Sequence, residues 1–142
     1  PERSGGRMAT ICLDNTFVSD YLNGAQYTAA FLREFGPADT VLVPDIVRFE
    51  AFVPAFRSGS GRTATDVRQA LGGFQSAAFD SDVAEAAAEI RSDLLDAGAA
   101  VGSPDVLIAG TARAYGADLV TDDRAFSRVD GLTVRNPKRD GE

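Results

Sequence analysis

Short apolar runs rich in β-forming residues alternate with helical segments along nearly the whole chain, and this alternation is the strongest constraint on its fold. Strands joined by helices form parallel sheets, because each helix returns the chain to the edge where the next strand begins. Both faces of such a sheet are then covered by helices. The pattern therefore predicts an α/β fold with an open, mostly parallel sheet.

The hydrophobic pattern also places the individual elements. Strands are predicted at 10–13, 41–43, 75–79, 118–121 and 132–134. Helices are predicted at 17–22, 25–35, 44–53, 65–71, 83–97 and 103–115, with a short helix over 122–128. Pro44 is expected to begin the third helix, Pro54 to kink or interrupt it, and Ser103 to cap the sixth.

The length of 142 residues suits one domain, which we place at 8–137. Residues 1–7 precede Met8, which resembles a native initiator, and are expected to be an added remnant or a loose tail. Asn136-Pro137 is expected to end the ordered part, leaving 138–142 as a C-terminal tail. No apolar run approaches the length that crosses a bilayer, so no membrane partner is expected.

The chain contains no histidine and a single cysteine, which removes several catalytic mechanisms. Histidine-based triads, dyads and metal sites are excluded, and an enzyme of this composition must use carboxylates, hydroxyls, arginine and a hard metal. Cys12 lies in an apolar strand and is predicted to be a buried structural thiol. A lone cysteine also fits a reducing cytoplasm.

Four acidic residues occupy strand ends or the helices that follow strands. Asp14 and Asp123 directly follow strands, Glu50 lies on the helix after the second strand, and Asp105 lies in the first turn of its helix. Because ligands of open parallel sheets bind beyond the carboxyl ends of the strands, the four carboxylates can converge on one divalent cation.

Each acid also has an ordinary structural explanation. Asp14 alone could cap the next helix, Asp105 is a common first-turn acid, and Asp122-Asp123 is a common turn pair. Glu50 is harder to explain as a solvated residue, since apolar residues flank it in its helix. The hypothesis of a metal site therefore depends on the four acids as a set.

Three segments resemble the PIN-domain ribonucleases, most closely the VapC toxins of toxin–antitoxin pairs. They are LDNTFVSDYLNG at 13–24, VPDIVRFEAF at 43–52, and the segment 79–137 with its PD-helix, LVT strand, acid, aromatic residue and final GLTVRNP. The resemblance covers nearly all of 8–137. It implies a PIN-like three-layer α/β/α fold with a central, mostly parallel sheet of four to five strands.

The resemblance also implies roles for individual residues. Asp14, Glu50, Asp105 and Asp123 match the family's catalytic acidic quartet, with Asp14, Asp105 and Asp123 as the metal ligands. Supporting positions near the metal fall on Thr16, Thr121 and Asp122. Three departures from the family pattern are Thr16, where Asn or Ser is usual, Ala125, where an acid is common, and the additional acid Asp122, which leaves open which of Asp122 and Asp123 faces the metal.

The resemblance implies a Mg²⁺- or Mn²⁺-dependent endoribonuclease that acts on RNA, forms a homodimer and is inhibited by a cognate antitoxin. Arg113, Arg124 and Arg128 are candidate contacts to RNA phosphates, because they lie on the elements that carry Asp105 and Asp123. The formal net charge of −7 argues against broad nonspecific nucleic-acid binding, but not against an enzyme whose metal bridges to phosphate.

Two alternatives remain. The first is a catalytically weak PIN-like protein-interaction module, which the substitutions at Thr16 and Ala125 would favour. The second is a receiver-type phosphoacceptor domain, which also gathers acids at strand ends. That chemistry needs a lysine near the acids late in the chain, and we expect the lone Lys138 to lie in the tail.

Overall fold

The computed structural model describes residues 8–57, 59 and 61–140, so our expectation for residues 1–7 lies outside the described part. The strands are β1 (Thr10–Leu13), β2 (Thr40–Pro44), β3 (Gln75–Ala77), β4 (Asp118–Val120) and β5 (Val134–Arg135). The helices are α1 (Asn15–Leu22), α2 (Gln26–Leu32), α3 (Asp45–Ala55), α4 (Ala64–Leu71), α5 (Ser81–Asp96), α6 (Ser103–Ala114) and α7 (Pro137–Asp140), with a 3₁₀ helix at Arg124–Arg128.

The strands form one five-stranded sheet in the order β3-β2-β1-β4-β5, and every neighbouring pair is parallel. The predicted α/β class, the three-layer α/β/α arrangement and the number of strands are confirmed. The strand order reverses between β1 and β4, where the chain leaves the two central strands in opposite directions. In open α/β sheets this is the crevice in which ligands bind.

The two central strands supply the middle of the hydrophobic core. Ile11, Leu13 and Leu119 are fully buried, as the parallel-sheet pattern requires. Cys12 is also fully buried, and its burial raises the pKa of the thiol. The prediction of a buried cysteine is confirmed, and a fully buried thiol with a raised pKa does not suit a nucleophile.

Helices α5 and α6 pack closely against each other. At their contact a Cβ atom added to Gly110 would lie 2.6 Å from the Cβ of Ala87. The glycine and the alanine-rich sequence of α5 therefore allow the two backbones to approach more closely than larger side chains would permit. This contact holds α6, which carries Asp105, against the rest of the domain.

Both prolines of the third helix differ from their predicted roles. Pro44 is the last residue of β2 and the N-cap of α3, so the helix begins one residue later than expected. Pro54 does not interrupt α3, which continues to Ala55. A proline in the last turn removes only one intrahelical hydrogen bond, to the carbonyl four residues earlier, and the turn tolerates that loss.

Two further boundaries differ from the prediction. Gly102, and not Ser103, is the N-cap of α6, and the Ser103 hydroxyl accepts a hydrogen bond from Arg91 at 3.0 Å. The chain also continues beyond Asn136 into α7, which contacts α2. Within the described residues we find no helix with both the length and the apolar content needed to cross a membrane.

Candidate active site

Asp14 lies at the switch point of the sheet, directly after β1. It is 8% exposed, and its backbone N–H donates to the carbonyl of Val120 at the end of β4. Its carboxylate accepts a hydrogen bond from the Phe17 N–H at 2.8 Å and another from the Thr121 side chain. Asp14 is therefore both the N-cap of α1 and the most buried acid of the candidate site.

Burial raises the pKa of Asp14 from 3.8 to about 6. The hydrogen bonds from Phe17 and Thr121 lower it, and the negative charges of Asp122 and Asp105 raise it further. The structure thus brings the carboxylates of three separate segments within electrostatic range of one another. A divalent cation would relieve this repulsion.

Asp105 lies in the first turn of α6, as predicted. Burial raises its pKa, and the charge of Asp123 adds to that rise. Asp123 begins the 3₁₀ helix, where its carboxylate accepts from the Ala125 N–H at 2.9 Å. The hydroxyl of Thr121 also accepts from the Asp123 N–H at 3.2 Å, which fixes the turn after β4.

The two adjacent acids after β4 have different surroundings. Asp122 is exposed, lies near Asp14 and forms an ion pair with Lys138 at 3.1 Å. Asp123 is half-buried and faces Asp105. Because Asp122 already has a cationic partner, Asp123 is the better candidate of the two for a metal ligand.

Glu50 lines a different cavity from those that contain Asp14 and Asp123. It lines an open cavity of about 230 Å³ between α1 and α3, together with Asn15, Ser19 and Arg62. Its Oε1 atom is buried, and within the described residues it has no hydrogen-bond partner. This oxygen can accept a hydrogen bond from a water molecule or a ligand that enters the cavity. Asn15 connects the cavity to the acidic cluster, since it directly follows Asp14.

The predicted hydroxyl residues lie next to Asp14. Thr16 is exposed and lines a small cavity with Asp14, Thr121 and Asp122. Thr121 is buried, and its hydroxyl is engaged by its neighbours on both sides of the turn. These two threonines supply neutral oxygen atoms beside the carboxylates.

The oxygen atoms of these side chains suit a hard divalent cation, although the side chains do not form a ready-made group of ligands. Across 8–57, 59 and 61–140, no three or more acidic or cysteine side chains form a group that could hold a metal. Mg²⁺ needs only one or two carboxylates when water and substrate phosphate complete its coordination. The all-oxygen donors, the raised pKa values of Asp14 and Asp105 and the unpartnered Glu50 oxygen therefore fit such an ion.

The three candidate arginines are placed differently. Arg124 lines a shallow cavity with Asp122 and Asp123, and Arg128 is exposed at the end of the same 3₁₀ helix. Arg113 lies at the opposite end of α6 from Asp105. Its guanidinium donates to the carbonyl of Asp130 and lies 3.7 Å from Glu89.

Lys138 is a site residue that the sequence analysis placed in a tail. Its ammonium group pairs with Asp122 and lies 5.4 Å from the centre of the Tyr27 ring. It also lines the cavity that contains Asp14 and Thr16. The sequence feature that could have indicated Lys138 is its position just beyond the last predicted strand, at the same edge of the sheet as the acids.

Comparison with known proteins gives a consistent fold. The sequence pattern of the PIN domain matches residues 11–132. No curated protein sequence matches the chain. Among solved structures, VapBC2 from Rickettsia felis bound to a DNA fragment from its promoter has a TM-score of 0.79 at 22% identity, over 89% of this chain and 98% of that one.

Two further structures have similar folds. FitAcB from Neisseria gonorrhoeae has a TM-score of 0.72 at 24% identity, over 90% of this chain and 98% of that one. VapBC-1 from nontypeable Haemophilus influenzae has a TM-score of 0.74 at 19% identity, over 91% of this chain and 98% of that one.

Proposed function

The chain belongs to the PIN-domain family, and on that premise we propose that it is a metal-dependent endoribonuclease, the toxin of a toxin–antitoxin pair. The supporting observation is the electrostatic coupling at the switch point of the sheet. Burial raises the pKa of Asp14, and the charges of Asp122 and Asp105, from two other segments, add to that rise. Capping and helix starts explain the acids singly, but carboxylates that repel one another are unfavourable together, and holding a cation explains why they are gathered.

Asp14, Asp105 and Asp123 would hold Mg²⁺ or Mn²⁺. When bound, such an ion supplies an activated water molecule and stabilises the charge that develops on a phosphodiester. The chain's own residues prepare the site: the Thr121 and Phe17 hydrogen bonds orient the Asp14 carboxylate before any ligand arrives. Glu50 offers its unpartnered oxygen to a water molecule or a substrate hydroxyl in the adjacent cavity.

The proposed substrate is RNA, and Arg124 and Arg128 are its best-placed arginine contacts. Both lie on the 3₁₀ helix that follows Asp123, and both are exposed. Arg113 remains a weaker candidate, because its guanidinium is engaged by the Asp130 carbonyl. The cytoplasm is the compartment that the single, buried cysteine favours.

The proposed partners are a cognate antitoxin and a second copy of the chain. Large apolar side chains are exposed on α3 and at its C-cap: Phe49 is 67% exposed, Val53 43%, and the C-cap residue Phe56 71%. Contiguous apolar surface of this kind marks protein–protein contacts. A similar structure from Klebsiella pneumoniae is a toxin–antitoxin complex, and clustered carboxylates would pair well with an arginine of an inhibitor.

The decisive experiment compares Asp14→Asn and Asp105→Asn with the wild type in a Mn²⁺-dependent RNA cleavage assay. Both variants are expected to lose cleavage while circular dichroism shows an unchanged fold. Asp93→Asn, an exposed position on α5, is the matched control and should retain full activity. Undiminished cleavage by either site variant would show that the acids do not carry the reaction.

A catalytically weak PIN-like interaction module is the alternative. Ala125 replaces an acid common in the family, and the described residues contain no ready group of three metal ligands. Titration calorimetry with Mn²⁺ separates the two, since the alternative expects no specific uptake of metal. The receiver-type hypothesis has no support, because the chain belongs to a different family.

A further inference from the structure

We propose that Lys138 binds a phosphate group of the RNA substrate at the Asp122 side of the acidic cluster. This inference rests on the proposed ribonuclease function. Without a bound metal ion, the carboxylates of this site would repel a polyanion such as RNA. The proposal places a cation beside them.

The position of Lys138 is held by several contacts. Its backbone N–H donates to the Asn136 side chain at 3.0 Å, and the preceding Pro137 is buried. Its ammonium group lies 3.1 Å from the Asp122 carboxylate and over the face of Tyr27. An exposed lysine normally samples many rotamers, so this set of contacts places the charge at one point.

Tyr27 is a suitable support for this charge. Its hydroxyl donates to Asp20, and burial together with the charges of Asp20, Asp14 and Asp122 raises its pKa. The phenol therefore stays neutral. Its ring face contacts the ammonium group without adding a second negative charge that would compete with a phosphate. The ring also contacts Phe17 edge-to-face, at 5.9 Å between centroids, which connects the platform to α1.

The ammonium group retains the capacity to bind a second anion. It carries three N–H donors, of which Asp122 takes one, and the Lys138 side chain is 50% exposed. It faces the same small cavity as Asp14, Thr16 and Thr121. A phosphate that approaches a cation held by Asp14 would therefore pass beside Lys138, and a lysine acts on phosphate as a compact point charge.

Neutralisation of Asp122 alone is the competing role, and the two roles predict different measurements. A counter-ion lowers the negative charge of the cluster, so removing it should strengthen metal binding and leave RNA contacts unchanged. A phosphate contact acts on RNA directly, so removing it should weaken RNA binding and lower its dependence on salt.

The experiment measures the wild type, Lys138→Ala, Lys138→Arg and the control Arg33→Ala, an exposed cation at the end of α2. Calorimetry with Mn²⁺ alone gives the metal affinity. Fluorescence anisotropy in Ca²⁺ with a labelled single-stranded oligoribonucleotide of random sequence gives RNA affinity at several salt concentrations. Steady-state cleavage in Mn²⁺ gives kcat and KM, and thermal melting verifies the fold.

For Lys138→Ala we expect an RNA affinity about tenfold lower, equivalent to one charge-assisted hydrogen bond. The slope of log affinity against log salt should become shallower by about 0.7, and KM should rise more than kcat falls. Lys138→Arg should restore most of the affinity and Arg33→Ala should match the wild type.

Unchanged RNA affinity and salt slope in Lys138→Ala, with tighter Mn²⁺ binding, would overturn the proposal and leave Lys138 as a counter-ion. If thermal melting shows that Lys138→Ala is misfolded, Lys138→Arg decides. A folded Lys138→Arg that binds RNA no better than Lys138→Ala would also overturn the proposal. If the wild type neither takes up Mn²⁺ nor cleaves RNA, the proposed function itself is wrong, and the assignment of Lys138 falls with it.

Discussion

The negative charge of the buried Asp14 carboxylate lowers the stability of the metal-free protein, but the same charge is needed to bind a cation. Its pKa is about 6 in the folded chain and 3.8 ordinarily, so the folded state favours the protonated form. The stability that this group contributes is present below the ordinary pKa and is lost as the pH rises through about 6. At neutral pH the metal-free protein therefore holds an unfavourable charge that a cation would compensate.

Asp14→Asn should stabilise the metal-free protein while removing its proposed activity. The two pKa values differ by about two units, which corresponds to at most about 3 kcal/mol at neutral pH. We expect a gain of about 1–2 kcal/mol, because the amide oxygen can still accept from the Phe17 N–H. Urea denaturation in EDTA measures it, with Asp93→Asn as the unchanged control; a loss of stability would contradict the electrostatic argument.

Metal uptake should depend on pH in the opposite sense. A cation at Asp14 must displace the proton, so Mn²⁺ affinity should rise by about tenfold per pH unit below the pKa of about 6 and level off above it. Asp105, whose pKa is also raised, can only steepen this rise. Calorimetry across that pH range tests the prediction, and an affinity that is flat with pH would place the metal elsewhere.

Individual acids were predictable from the sequence to different degrees. The positions of Asp14 after a strand and of Asp105 in a first helical turn were predicted correctly, because both kinds of position have clear sequence signals. The different surroundings of Asp122 and Asp123 were not predictable, because they depend on the position of Lys138 in space. A contact across three elements leaves no local pattern in the chain, which is why Lys138 was placed in a tail.

At the scale of elements, local chemistry predicted where the helices lie better than the residues at which they begin and end. Asp80 caps α5, with its carboxylate accepting from the Val83 N–H at 3.0 Å, so the helix begins before the predicted residue 83. Pro54 was expected to kink or interrupt α3, yet the helix continues through it to Ala55. Capping depends on residues within one turn. The effect of a proline depends instead on how many intrahelical hydrogen bonds it removes, which is few in a last turn.

Gly110→Ala should destabilise the domain by forcing α5 and α6 apart. The added Cβ would lie 2.6–2.8 Å from atoms of Ala87, both backbone and side chain. The clash should cost about 1–3 kcal/mol, which outweighs the gain in helix propensity of about 1 kcal/mol or less. Urea denaturation measures the loss.

Gly73→Ala is the matched control, because nothing lies within 4 Å of the position of its Cβ. Since α6 carries Asp105, Gly110→Ala should also weaken Mn²⁺ binding more than Gly73→Ala does. Equal stability of the two variants would show that the helices have room to separate without cost.

For the whole molecule, the alternation of strands and helices predicted the parallel sheet but not the order of its strands. That order depends on the direction in which each helical connection carries the chain along the sheet. The packing of helices on both faces decides this direction. The observed order makes β1 and β4 neighbours. It therefore brings Asp14 and Thr121 into hydrogen-bond contact although they are far apart in sequence.

Because the formal net charge is −7, we expect the proposed binding of RNA to depend on the metal. Phosphates are repelled by acidic surface, and among the described residues Arg124 and Lys138 line cavities together with acids of the cluster. We expect EDTA to lower the affinity for single-stranded RNA by at least about tenfold, and we expect a shallow salt slope of about −2 because few phosphates are neutralised. Fluorescence anisotropy with and without Ca²⁺ measures both quantities, and Asp14→Asn should bind RNA equally weakly in the two conditions. An affinity that EDTA leaves unchanged would mean that the arginines alone bind RNA, and that the acidic cluster is not where the substrate is held.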